Sequence, residues 1–189
     1  PHCVVEAGPH RTETMALDHA LSWIDQAKAY GAGKLRGLAL TGGEPFTEFE
    51  LLAKTSNYGR SAGFVVSAVT NAFWATSRES ALEVLTRLPA IKMLSISTDV
   101  HHQKTIPFEY VHNAILAARE LDCLHNVAVC TDSRDDPGYR QIIRDLHSIG
   151  EVDTLRISII FPVGRAERKA STFNYRFTPD PPSGACGMA

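Results

Sequence analysis

The sequence predicts an α/β protein built around a parallel sheet. Strand-like and helix-like segments alternate along its 189 residues. The strand-like ones recur at intervals of roughly thirty residues, the rhythm of βαβ units. They also read as near-continuous apolar runs, as parallel strands covered on both faces do. Right-handed crossovers then leave two architectures: an open doubly wound sheet, or a closed or partly closed barrel.

The elements follow in order. RTETMALDHALSWIDQAKAYGAG puts Leu17, Leu21, Ile24 and Ala27 on one face and closes on glycines, which predicts a helix. LRGLALT is a strand, PFTEFELLAKTSNYGRSAG a helix, and FVVSAVT a strand rich in β-branched residues. TSRESALEVLTRLP opens on a capping-box pattern, Thr76 with Glu79, and stops before Pro89. IKMLSIST is the third strand, and IPFEYVHNAILAARELD a helix with Pro107 in its first turn. HNVAVCT, DPGYRQIIRDLHSIG and TLRISIIFPV complete the series as strand, helix and strand.

Composition narrows the function. Hydrophobic residues make up 44 %, charged residues 21 %, and the net charge is -2, so nothing draws the chain to nucleic acid or an anionic membrane. With no bilayer-length apolar run and no signal-peptide pattern, a cytoplasmic location is expected. The cysteines, at positions 3, 123, 130 and 186, are too scattered for a disulfide framework. Cys123 and Cys130 read as buried thiols, whereas Cys3 and Cys186 lie in poorly periodic segments near the ends. Neither end has the character of a natural terminus, so a piece of a longer protein is expected. After Ala166 the chain turns polar and Pro-rich without a clear helix or strand, which predicts a core over 1–166 and the start of an extension over 167–189.

In parallel α/β proteins the site forms at the carboxyl ends of the strands. Those ends carry Thr41-Gly42-Gly43-Glu44-Pro45, then Thr70-Asn71, then Ser97-Thr98-Asp99 with His101-His102 beyond, then Thr131-Asp132-Ser133, and last Phe161 to Ala166. Each has a plain explanation. Glu44 suits a solvated helix start, Asn71 a turn, and Asp99 or Asp132 a cap. Their convergence from successive strand ends favours a small-molecule site. Glycines let a ligand's polar head approach the backbone, and a lone carboxylate suits a cationic amine. A ligand with an amino group, and with hydroxyls for Ser97, Asp99 and Asn71, fits that pattern, as an amino-acid–nucleoside conjugate would.

LTGGEP, TN, LSISTD and FPVGRA at these ends, with PHCVVEAGPHR at the N-terminus, resemble the radical S-adenosylmethionine enzymes. The resemblance implies a partial (β/α)6 TIM-like barrel, here without its first strand. It implies that Cys3 is the last cysteine of a CxxxCxxC loop and ligates a [4Fe-4S] cluster. Gly42, Gly43 and Glu44 would hold the methionine amine of S-adenosylmethionine. Asn71, Ser97 and Asp99 would lie near its carboxylate and ribose, and Val163 and Gly164 would run along the adenine. The reduced cluster would cleave the cofactor to a 5'-deoxyadenosyl radical that abstracts hydrogen from a substrate. A peptide substrate, and an electron donor such as a flavodoxin or ferredoxin, are implied as well. Cys186 resembles the start of an extension bearing auxiliary clusters. The other two cysteines of the motif would lie upstream of Pro1, and a chain without them would be inactive.

Two other readings remain open. A metal-dependent barrel hydrolase would use Asp99, His101 and His102 as ligands, although such ligands normally come from several strands. A barrel without a cluster would bind S-adenosylmethionine or a peptide and catalyse nothing.

Overall fold

In a computed structural model the structure describes residue 3 and residues 5–8, 10–150 and 152–173. Cys186 and most of the expected extension lie outside the described residues. Among the described residues, five α-helices, α1 (Leu17–Gly31), α2 (Phe49–Ser61), α3 (Arg78–Thr86), α4 (Phe108–Glu120) and α5 (Pro137–Ile149), alternate with five strands, β1 (Gly37–Leu40), β2 (Val65–Thr70), β3 (Ile91–Thr98), β4 (Leu124–Thr131) and β5 (Thr154–Ile159).

All strand pairs are parallel, and the sheet order is β1-β2-β3-β4-β5. This order contains no reversal, so it lacks the switch point of a doubly wound sheet. Crossovers of one hand in such an order place every intervening helix on the same face. The core agrees: Val66, Ala68, Leu94, Ile96, Val127 and Val129 share one buried cluster with Leu52 of α2, Leu85 of α3, Ile115 of α4 and Leu146 of α5. Burying each large side chain there stabilises the fold by roughly 1.5–3 kcal/mol.

Among the described residues, the opposite face departs from the expectation of strands covered on both sides. Its register rows run Ala39, Ser67, Met93 and Leu124, then Val69, Ser95, Asn126 and Thr154, then Ser97, Ala128 and Arg156, and last Cys130 with Ser158. Most of these side chains are half-buried or exposed, and small or polar ones predominate. The apolar runs therefore reflect the covered face, while the uncovered one is interrupted by serines. Ser95 Oγ donates across it to Asn126 Oδ1 at 2.9 Å.

Local chemistry moved several boundaries. The chain enters α2 through a 3-10 turn over Pro45–Glu48, whose N-cap Glu44 accepts from Phe46 N–H, so α2 starts four residues late. At α3 the capping box is Ser77 with Ser80, one residue on from the expected pair: Ser77 Oγ accepts from Ser80 N–H, and Ser80 Oγ from Ser77 N–H. Asp136 caps α5 by accepting from Tyr139 N–H at 2.7 Å, and Gly150 ends it at φ +61. The polar stretch after Ala166, expected without helix, carries a 3-10 segment over Gly164–Thr172.

Candidate functional site at the strand ends

The GGEP turn leaves β1 with Gly42 at φ +155, a conformation that L side chains rarely adopt, so glycine is needed there for the backbone itself. Gly43 borders the N-terminal loop: a Cβ on it would lie 3.6 Å from the Ala7 side chain. Glu44, expected as an acid awaiting a partner, has partners in the protein. Its Oε1 accepts from Thr70 Oγ1 at 2.9 Å and from Phe46 N–H at 3.3 Å, and its Oε2 accepts from Asn71 N–H at 2.7 Å. Burial nevertheless holds its carboxyl above the ordinary carboxylate value, because desolvation of the charge outweighs these bonds.

Thr70 is the hub of this knot, and it has no place in the sequence reading as a site residue. It is 2 % exposed, donates to Glu44, and accepts from Ala72 N–H at 3.0 Å and Trp74 Nε1–H at 2.9 Å. The Trp74 ring stacks on Phe46 with centroids 4.7 Å apart. A closed path thus runs from the GGEP turn through β2 and back. Its only sequence signal is a threonine at a strand end followed four residues later by a tryptophan. Asn71 Oδ1 accepts from Phe73 N–H at 3.0 Å, the turn role weighed for it, and Ala72 between them sits at φ +64.

At the end of β3, Ser97 is half-buried on the uncovered face. Asp99 is 1 % exposed. Its Oδ1 accepts from His101 N–H at 2.8 Å and His102 N–H at 3.0 Å, and its Oδ2 lies 2.8 Å from His102 Nδ1. This geometry is a capped turn with one imidazole held on a carboxylate. Among the described residues no group of three or more His, Cys, Asp or Glu side chains is placed to hold a metal, so Asp99, His101 and His102 do not form a ligand set. Cys130, farther along the uncovered face, has its thiol pushed up by burial and then by the Asp99 charge.

After β5, Val163 N–H donates to Phe161 O at 2.8 Å, and Val163 O accepts from Ala166 N–H at 3.2 Å. Both its backbone groups are engaged, and its side chain is 45 % exposed. Gly164 takes φ +59. Arg165 joins this loop to the N-terminal one: its N–H donates to Cys3 O at 3.0 Å, and its guanidinium donates to Ala7 O. Cys3 Sγ accepts from Ala7 N–H at 3.2 Å. The structure thus brings the Cys3 loop against Gly43 and Arg165.

Fold and site together define an α/β protein with polar and glycine-rich loops gathered at the carboxyl ends of a sequentially ordered parallel sheet. No protein-family model matches the chain, and no curated protein matches it. No helix among the described residues is long and apolar enough to cross a membrane.

Proposed function

We propose that the chain is the core of a radical S-adenosylmethionine enzyme, with its sheet forming a partial (β/α)6 barrel. The observation that carries the reading is the seating of the Cys3 loop between the GGEP turn and the loop after β5, at the carboxyl end of a sheet whose inner face is uncovered. S-adenosylmethionine would rest there, its amine at Gly42, Gly43 and the remaining lone pair of Glu44, its ribose and carboxylate near Asn71, Ser97 and Asp99, and its adenine along Val163 and Gly164. Backbone N–H donation to a cysteine sulfur, as Ala7 provides at Cys3, is the kind of bond that tunes cluster thiolates.

The described residues do not fit a [4Fe-4S] cluster by themselves. Cys123 is buried, with its thiol pushed up to about 11 and directed at Ile91 O, and Cys130 lies on β4. Among the described cysteines, only Cys3 stands at the strand ends. The other two cysteines that the reading requires would lie upstream of Pro1. The second reading is a barrel that binds the cofactor or a peptide without the cluster.

Calorimetric titration with S-adenosylmethionine tests both readings, using the wild type and Ser97→Phe, which fills the uncovered face. Saturable binding weakened tenfold or more by the substitution is the expected result. A folded protein that does not bind the cofactor would sink the enzyme reading and the cofactor-binding form of the second, leaving only peptide binding. Iron and sulfide content after anaerobic reconstitution then separates the enzyme from the binding domain.

A further inference from the structure

We propose that a cleft between the N-terminal loop and the segment after β5 binds a small oxyanion, the phosphate or carboxylate group of an anionic small molecule. The cleft measures about 190 Å³ and is lined by Glu6, His10, Arg11, Arg165 and Arg168. Pockets for whole drug-sized ligands run to roughly 300 Å³ or more, so this one suits a single anionic group. Three guanidinium groups and an imidazole face one carboxylate there, although the whole chain has 19 Lys and Arg against 21 Asp and Glu. The excess is local.

The three arginines differ in a way that suits a binding site. Arg165 is fixed, donating from its backbone to Cys3 O and from its guanidinium to Ala7 O. It lies so close to the loop that a Cβ on Gly8 would meet Arg165 Nη2 at 2.8 Å. Arg11 and Arg168 are exposed and each rests on one acid, Glu13 at 3.1 Å and Glu6 at 2.6 Å. Such exposed pairs contribute about 0–1 kcal/mol. A guanidinium has five donors, and an oxyanion offers a matching fork, so exchanging these carboxylates for a ligand oxyanion costs little. None of the cleft residues is among those proposed to hold S-adenosylmethionine, so the inference does not rest on that reading.

The test is calorimetric titration with inorganic phosphate in a buffer free of other oxyanions. The expected result is saturable binding that weakens as sodium chloride is raised. Arg168→Ala and Arg11→Ala should each weaken it about tenfold, the loss of one charge-assisted contact. Arg168→Lys should also weaken it, because an ammonium cannot present the fork. Arg78→Ala removes an exposed arginine that pairs with Glu120 at 2.5 Å outside the cleft, and should change nothing. Absence of saturable binding, or an equal loss in Arg78→Ala, overturns the proposal. Titrating the same samples with S-adenosylmethionine keeps the two readings apart, since its affinity should not follow the arginine substitutions.

Discussion

Replacing Glu44 by alanine should weaken the fold as well as any ligand site. The carboxylate takes two short bonds, from Asn71 N–H at 2.7 Å and Thr70 Oγ1 at 2.9 Å, and a longer one from Phe46 N–H at 3.3 Å. A hydrogen bond to a charged group contributes roughly 1.5–3 kcal/mol, and a buried donor left unmade costs about 1–3 kcal/mol. Against this stands the burial penalty of the carboxylate, which disappears with it. The net loss should be about 1–3 kcal/mol, or a fall in Tm of roughly 2–12 °C for a chain of this size. The pH dependence follows from the raised carboxyl. Above the ordinary value of 4.5 the folded state keeps the proton that the unfolded state has released, so wild-type stability falls relative to Glu44→Ala as pH rises through the folded value. The alanine variant should therefore cost more near pH 4.5 than near pH 7.5. Urea denaturation of both proteins across that range measures it. An unchanged midpoint at every pH, or a stability gap that widens toward neutrality, would refute the reasoning.

Leu94 is fully buried on the covered face, and Leu94→Ala should cost about 2–5 kcal/mol through lost burial and the cavity left behind, read from the urea midpoint; a loss below 1 kcal/mol would mean that the helices do not pack on that face. Cys123 is 9 % exposed with its thiol pushed up to about 11 by burial, so iodoacetamide at pH 8 should modify it slowly in the native protein and rapidly in urea. Equal rates in the two conditions would contradict its burial.

The alternation of elements was legible because periodicity is local: Leu17, Leu21, Ile24 and Ala27 all lie at least partly buried on one face of α1, as their spacing requires. What the spacing could not report is how strands are ordered. The same apolar runs serve a sheet with or without a reversal, and only the pairing of β1 through β5 in sequence decides between them. The same limit explains why the described residues leave the second face without cover, since strands that read as near-continuous apolar runs place Ser95 and Ser97 there, and only their neighbours across the sheet reveal it. At α3 the error was one residue, because Thr76 and Ser77 are both good caps and only the geometry places Ser80 Oγ on the Ser77 amide.

Glu44 shows why site residues are harder to read than elements. Its partners Thr70 and Asn71 are 26 and 27 residues away, so nothing beside it in the sequence distinguishes a carboxylate reserved for a ligand from one that closes a loop. The structure allows both uses. An ionised carboxylate has about four lone-pair sites, and three are taken here, so one could still meet an amine. Loss of cofactor binding in Glu44→Ala would then be ambiguous, because the GGEP turn would loosen along with the lost contact. Ser97 is the cleaner probe. It stands half-buried on the uncovered face while the neighbouring strand residues Ile96 and Thr98 carry the packing, so filling its position blocks a ligand without untying a loop.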